Sequence, residues 1–140
     1  MDARLDLVDG PPSLMDYLHL RAASGLTPKS VEQGTAGIDG AWSAVHVVDA
    51  ATGATVGMGR VIGDGGWYFH IIDMAVLPQY QRRGICAAIL RWLISEIEER
   101  APAGAYVTLM ADEAGRALYR AHGFVETGPR TVGMELAPRA

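Results

Sequence analysis

The sequence predicts an α/β fold with a mixed, mostly antiparallel sheet, and three observations support this prediction. Residues 42–49 and 55–62 follow a period of two and read as the arms of a hairpin. Residues 67–77 continue this meander as a third strand, which ends at Pro78. A helical pattern over residues 85–100 then leads to a further strand, and such a strand–helix–strand unit places a parallel pair within the sheet.

The N-terminal part of the chain adds an edge strand and two helices. Residues 5–8 predict the strand, and residues 14–23 carry an amphipathic helical pattern with Ser13 as its N-cap. Thr27 and Pro28 predict the N-cap and the first position of a second helix. We place the end of that helix at the glycines Gly34, Gly37 and Gly40.

The C-terminal part predicts one more helix and three strands. Residues 105–110 form the strand after the long helix, and residues 113–121 form a shorter helix that stops at Gly123. Residues 124–127 and 131–136 predict two final strands. The sheet is therefore expected to hold about six or seven strands, flanked by about four helices.

Composition narrows the class of protein. A chain of 140 residues with 49% apolar and 20% charged residues fits one globular domain, residues 1–140. A net charge of −4 opposes nucleic-acid binding. The single cysteine, Cys86, excludes an intrachain disulfide, and the four histidines lack the spacing of a metal-ligand set. With no apolar leader or span, we expect a cytoplasmic protein with neither a membrane nor a metal as partner.

The loop between the third meander strand and the long helix predicts an anion site. Arg82 and Arg83 supply positive charge, and Gly84 lets the backbone approach a ligand closely. The N–H groups of the first helical turn point outward, where the helix dipole favours negative charge. A polar surface loop explains the same residues, so the loop alone leaves both interpretations open.

Two motifs resemble the GNAT superfamily of N-acetyltransferases. Residues 75–86, AVLPQYQRRGIC, are similar to the family's phosphate-binding motif, Gln/Arg-x-x-Gly-x-Gly/Ala after a strand ending in Val-x-Pro. Cys86 departs from that motif, in which Gly or Ala is usual. Residues 117–124, ALYRAHGF, look like the family's Leu/Phe-Tyr-x-x-x-Gly-Phe signature. With the order of the elements, the resemblance extends over nearly the whole chain.

The resemblance implies a GNAT fold that binds acetyl-coenzyme A as acetyl donor. The strands near residues 67–77 and 105–110 are expected to splay into a V-shaped opening, with the pantetheine lying along the first of them like an extra strand. The loop is expected to hold the pyrophosphate. The residues that the resemblance assigns to the cofactor are Met74, Ala75, Val76, Gln81, Arg82, Arg83, Gly84, Ile85, Cys86, Ala87 and Asp112.

The resemblance also implies direct transfer of the acetyl group to an amine, through a tetrahedral intermediate. Tyr119 holds the position of the general acid, and a phenol with a pKa of about 10 can protonate a departing thiolate. The N–H of Val76 is the expected oxyanion donor. His70 stands where related acetyltransferases carry a catalytic His or Glu, and it could relay a proton as the base.

Structural interpretations of these side chains stay open beside the catalytic ones. Tyr119 could instead pack between a helix and the sheet, and His70 could be half-buried and hydrogen-bonded to a neighbouring strand. Asp73 is a weaker candidate for the base. Because His70 and Asp73 are an odd number of residues apart, an ideal strand directs them to opposite faces.

The predicted function is the N-acetylation of a primary amine in a small molecule, either an alkyl or an aromatic amine. Aromatic residues at 67–69 could pack against an apolar acceptor. Acetylation of a peptide or protein, and a non-catalytic sensor that binds acyl-coenzyme A, are the alternatives. The oligomeric state stays open, with a homodimer among the choices.

Overall fold

The computed structural model describes residues 1–138, in two compact units, Met1–Leu109 and Met110–Ala140. The first unit holds the sheet and the first three helices, and the second holds the fourth helix. A single domain over residues 1–140 stays a prediction.

The first unit is built on a five-stranded sheet in which the strands lie in chain order. The strands are β1 (Leu5–Asp9), β2 (Ser43–Asp49), β3 (Ala54–Gly63), β4 (Tyr68–Val76) and β5 (Tyr106–Leu109). Neighbours from β1 to β4 pair antiparallel, whereas β5 pairs parallel to β4. The predicted mixed sheet is confirmed, as is the edge strand at its beginning.

The four helices are α1 (Leu14–Ala23), α2 (Val31–Asp39), α3 (Ile85–Arg100) and α4 (Arg116–Ala121). The N–H of Asp16 donates to the Ser13 hydroxyl at 3.2 Å, which confirms the predicted N-cap of α1. The bounds of α3 are those that the apolar periodicity predicted.

Helices cover the two faces of the sheet. Side chains of α3, including Ile89 and Leu93, press against Gly59 of β3 so closely that any Cβ there would meet them. On the opposite face, α1 packs against β3 and β4, and α2 packs against α1. The buried apolar core therefore lies between α3 and the sheet, and a second layer lies under α1.

The prediction for the start of α2 is wrong, and of the three glycines predicted to end this helix only Gly40 does so. Its N-cap is Ser30 rather than Thr27, because Ser30 and Gln33 form a reciprocal capping box. Gly34 and Gly37 lie inside the helix, and Gly40 is the C-cap. A Cβ on Gly34 would lie 2.9 Å from a methyl group of Leu14, so this glycine permits the close approach of α1 and α2.

The two final strands predicted at residues 124–127 and 131–136 are also wrong, since neither range forms a strand. The N–H of Thr131 donates to the carbonyl of Thr127 at 3.1 Å, which closes a turn rather than a ladder. Met134 and Leu136 are 90% and 81% exposed. Alternation of apolar residues specifies a strand only where one face is buried, and these side chains bury none.

Candidate active site

The edge of β4 is open over its second half. The ladder between β4 and β5 ends with Ile71 opposite Leu109, whereas β4 continues to Val76. Within the first unit, β4 residues 72–76 have no β5 partner along this edge. Because β5 itself ends at Leu109, this half of the edge is free of strand pairing, as the predicted opening requires.

A bulge interrupts β4 where the edge opens. Ile72 lies opposite Arg60 and Ala75 lies opposite Met58, so β4 carries one more residue than β3 between these pairs. The extra residue is Asp73, whose φ of 61° is in the left-handed region. A buried residue other than glycine keeps this conformation only where its surroundings hold it there.

The bulge also changes which side chains share a face. His70 and Ile72 alternate on the α1 face, and the Asp73 carboxylate contacts Arg60 on that same face. Met74 turns to the α3 face, where its sulfur lies beside Gly59. The expectation that His70 and Asp73 point to opposite faces is therefore wrong, because it assumed an unbroken period of two.

Asp73 is the centre of a buried network. Its carboxylate accepts from the Tyr17 hydroxyl at 2.6 Å, from Nη1 of Arg21 at 2.5 Å and from Nε of Arg60 at 2.6 Å. Arg60 also donates to the carbonyl of Gly37 at 2.8 Å. With three donors on its two oxygens, Asp73 is an anchor for the neighbouring helices rather than a base.

The surroundings of Asp73 explain two pKa shifts. Burial raises the pKa of Tyr17, and its hydrogen bond to the Asp73 carboxylate raises it further. For Arg60, burial lowers the pKa but the ion pair with Asp73 outweighs it, so the net shift is upward. Sequence reasoning missed Tyr17, Arg21 and Arg60, because nothing in their local patterns indicates a distant carboxylate.

The N–H of Val76 points to the open edge. Leu77, the next residue, donates its N–H to the carbonyl of Val56 on β3. Since successive N–H groups of a strand point to opposite edges, the N–H of Val76 points away from β3. Its carbonyl accepts from Nε2 of Gln81 at 3.2 Å, which ties the end of β4 to the loop that follows.

That loop, residues 77–84, is held in a fixed and unusual shape. A turn of 3₁₀ helix, Pro78–Tyr80, is anchored by the Tyr80 hydroxyl, which donates to Asp49 at 2.7 Å. Arg82 and Gly84 both have positive φ, 64° and 78°. Gly84 has no atom within 4 Å of where a Cβ would stand, so backbone conformation rather than packing requires glycine there.

Loop 77–84 leads directly into the N-terminus of α3. The N–H of Ala88 donates to the carbonyl of Gly84, and Gly84 contributes no side-chain cap. The first-turn N–H groups, which include those of Ile85, Cys86 and Ala87, therefore face away from the helix. The Ile85 side chain is buried in the core, which fixes the direction of this turn. The exposed side chains of Arg82 and Arg83 add positive charge nearby.

His70 lies on β4 directly beside Thr108 of β5, and its Nδ1 is 2.8 Å from the Thr108 Oγ1. This is the bond to a neighbouring strand that the structural interpretation of His70 predicts. It uses one ring nitrogen and leaves the other, Nε2, with no hydrogen bond among the described residues. Burial lowers the pKa of His70 below its ordinary value of 6.5, which keeps the ring neutral near pH 7.

Tyr119 lies in the second unit, on α4. The sequence signature around it, residues 117–124, includes the C-terminal cap of this helix. Gly123, with φ of 93°, donates to the carbonyl of Arg120, and Phe124 donates to that of Tyr119. These two bonds are a Schellman motif, and the rings of Tyr119 and Phe124 meet edge to face at 6.1 Å. Gly115 leaves room for the Tyr119 ring, which any Cβ there would meet at 2.8 Å.

Asp112 also lies in the second unit, where it begins the short 3₁₀ turn before α4. Its carboxylate accepts from the N–H of Gly115 at 2.9 Å, so it acts as an N-cap. The predicted cofactor residues thus fall in two groups. Met74–Val76 and residues 81–87 meet in the first unit, and Asp112 belongs with Tyr119 in the second.

Aromatic side chains lie beside His70 on the same face of the sheet. Tyr68 stands two residues before His70, and its ring meets those of Tyr106 and Trp67 edge to face at 5.3 and 5.4 Å. All three are exposed. Phe69, by contrast, is fully buried in the core and packs against Trp42.

No group of His, Cys, Asp or Glu side chains within residues 1–138 is arranged to hold a metal ion. Among the helices of the same residues, none is long and apolar enough to cross a membrane.

Known proteins are similar to this chain over most of its length. The GNAT acetyltransferase domain matches residues 29–136. A probable acetyltransferase from meticillin-resistant Staphylococcus aureus is 35% identical, with a TM-score of 0.88 over 94% of this chain and 98% of that one. A GNAT family acetyltransferase from Streptococcus pneumoniae is 26% identical, with a TM-score of 0.80 over 97% and 99%.

A more distant enzyme is similar in fold alone. The glucosamine-6-phosphate N-acetyltransferase of Arabidopsis thaliana is 13% identical, with a TM-score of 0.71 over 94% of this chain and 97% of that one. The search of curated proteins gives no significant match.

Proposed function

The chain belongs to the GNAT family of acetyltransferases, and we propose that it transfers the acetyl group of acetyl-coenzyme A directly to a primary amine of a small molecule. One observation carries the proposal. The open edge of β4 leads, through a loop of positive φ, straight into the outward-facing N–H groups of α3. Acetyl-coenzyme A has an extended pantetheine arm, which fits the open edge of β4, and an anionic pyrophosphate, which fits the N–H groups of α3.

The residues around the loop fit the donor chemically. Space beyond the α-carbon of Gly84 lets a phosphate approach the backbone, and the first turn of α3 supplies N–H donors. Arg82 and Arg83 supply charge at the rim. The proposed donor-binding residues are Met74, Ala75, Val76, Gln81, Arg82, Arg83, Gly84, Ile85, Cys86, Ala87 and Asp112.

Cys86 stands where the family motif has Gly or Ala, and we propose that it is tolerated because its N–H rather than its side chain serves the donor. It lies in the first turn of α3 and is half-buried. The side chain is small, so the backbone geometry of the turn is kept.

When bound, acetyl-coenzyme A supplies a thioester carbonyl that an amine can attack. The N–H of Val76 is proposed to stabilise the negative charge that develops on the carbonyl oxygen. Two facts support this: it points to the open edge, and the Gln81 side chain fixes the adjacent Val76 carbonyl. A preorganised N–H donor of this kind acts without reorganisation during the reaction.

His70 is proposed as the base that takes a proton from the ammonium group of the acceptor, directly or through a water. Its lowered pKa keeps it neutral and able to accept at pH 7. Its place on the α1 face, beside exposed aromatic rings, supports an acceptor that approaches from that side. Tyr119 is proposed as the acid that protonates the departing thiolate, with the Schellman motif fixing its position on α4.

The aromatic cluster of Trp67, Tyr68 and Tyr106 supports an acceptor with an apolar or aromatic body. Exposed aromatic faces bind apolar groups and also attract ammonium ions. The net charge of −4 adds a weak attraction for cationic amines. A cytoplasmic location, which the sequence predicts, is part of the same proposal.

The proposal is tested by measuring the release of coenzyme A thiol with a panel of amines, and by weighing each product. We expect faster release with arylalkyl amines than with methylamine, and a product heavier by one acetyl group. Acetylation of peptides with no activity on free amines would favour the protein-modifying alternative. Binding of acetyl-coenzyme A without thiol release from any amine or peptide would favour the sensor alternative.

A further inference from the structure

We infer that Thr108 is a positioning residue that holds His70 in the tautomer with its hydrogen on Nδ1. The inference rests on the proposed role of His70 as the base. The observation behind it is the chain of contacts from Nδ1 of His70 to Oγ1 of Thr108, at 2.8 Å, and on to the carbonyl of Phe69, at 3.4 Å.

The two contacts of the Thr108 hydroxyl, with the Phe69 carbonyl and with Nδ1 of His70, together set the direction of the hydrogen bonds. Both contacts can be hydrogen bonds together only if the Thr108 hydroxyl donates its single hydrogen to the carbonyl of Phe69, which can only accept, and not to Nδ1 of His70. The lone pairs of Oγ1 then accept from His70, which requires the hydrogen on Nδ1. In the neutral ring, Nε2 therefore carries a lone pair and can take up a proton.

The sheet places the two side chains next to each other. Residues 70 and 108 are direct neighbours in the parallel pairing of β4 and β5, so both side chains leave the sheet on the same face, side by side. Neutral histidine in water prefers the opposite tautomer, with the hydrogen on Nε2. Thr108 thus reverses the intrinsic preference and presents Nε2 as a base in the resting protein.

The test compares two variants of the full chain. Thr108→Val keeps the shape and the β-branched character of the side chain but removes the hydroxyl. Thr108→Ser keeps the hydroxyl and is the matched control. The tautomer of His70 is read from the ¹⁵N chemical shifts of its ring nitrogens at pH 8, where the ring is neutral, and kcat is measured with the best amine of the panel.

We expect the parent and Thr108→Ser to carry the hydrogen on Nδ1. In Thr108→Val the hydrogen should move to Nε2 in a large part of the molecules, with kcat lower by about three- to tenfold, the value of one neutral hydrogen bond. The KM for acetyl-coenzyme A should not change, since Thr108 pairs with His70 in the first half of β4, away from loop 77–84.

Three results would overturn the inference: a parent protein with its hydrogen on Nε2, a Thr108→Val variant with an unaltered tautomer, or a shifted tautomer with unaltered kcat. The ring spectrum needs no turnover. A protein that transfers no acetyl group would therefore refute the proposed function while the spectrum still decides the tautomer.

Discussion

Nε of Arg60 lies 2.6 Å from Oδ2 of Asp73, across the step where β4 bulges away from β3. The other oxygen of this carboxylate lies 2.5 Å from Nη1 of Arg21 on α1. The buried carboxylate of Asp73 therefore stabilises the strained backbone of its own residue in β4. It also holds α1, which covers that face of the sheet. This joint control of strand and helix makes Asp73 the structural centre of the acceptor side.

Asp73→Asn is expected to lower the free energy of unfolding by about 3–5 kcal/mol, because two arginines would stay buried without their carboxylate. Asparagine also tolerates positive φ, so the lost charge is the main change. Urea denaturation measures the loss. As a control, Glu96→Gln removes the more exposed ion pair with Arg100 and should cost less than about 1 kcal/mol. Equal losses in the two variants would contradict the role of Asp73.

Gly84→Ala and Gly104→Ala form a matched pair. Both glycines have positive φ, 78° and 89°, and both have open space where a Cβ would stand. Each change should therefore cost about 1–2 kcal/mol of stability from backbone strain.

Only Gly84→Ala should weaken the binding of acetyl-coenzyme A, by about tenfold or about 1.4 kcal/mol, because its new methyl group enters the space assigned to the pyrophosphate. Isothermal titration calorimetry gives both dissociation constants. If Gly104→Ala weakens binding as much, general destabilisation explains the effect and the loop assignment fails.

Tyr119→Phe should lower kcat by about a hundredfold, the lower end of the contribution of a general acid. The ring contact with Phe124 stays, so the place of the ring on α4 and the affinity for acetyl-coenzyme A should stay near those of the parent. Stopped-flow detection of the released thiol measures the rate. An unaltered kcat would exclude Tyr119 as the general acid.

The pH dependence of turnover tests the role of His70 as the base. Burial lowers its pKa, so the neutral base persists below pH 6.5, and turnover should fall only as the pH passes below that value. The same shift means that the unfolded chain binds the proton more readily. His70 should therefore contribute to the loss of stability as the pH falls below 6.5.

His70→Gln should abolish this acidic limb of the kcat profile, while any limb that belongs to the amine substrate stays in both proteins. Rates from pH 5 to pH 8 with one saturating amine give the comparison. A parent and a variant with the same acidic limb would exclude His70 as the base.

Much of the first unit could be predicted from the sequence because its signals are local. The apolar period of α3 and the Arg- and Gly-containing loop before it are read from neighbouring residues. The GNAT resemblance rests on residues of the same loop, and it is confirmed by the family match over residues 29–136.

The bulge and the ion network could not be predicted in this way. A strand pattern gives no sign of an extra residue at Asp73, and its partner Arg21 lies 52 positions away in the chain. The two final strands were predicted on either side of the turn residues Gly128 and Pro129. Such a local signal says nothing about whether a sheet edge is available to receive a strand, and Val132 stays 66% exposed.

The central claim is that acetyl-coenzyme A lies along the open edge of β4 and ends at the N-terminus of α3. The most direct test is the ¹H–¹⁵N spectrum of the backbone amides, recorded with and without acetyl-coenzyme A. We expect large shifts for the amides of Val76, Gly84 and Ile85, and none for Gly65 in the β3–β4 turn, which lies at the other end of β4. Saturable binding that leaves Val76 and Gly84 unshifted would contradict it.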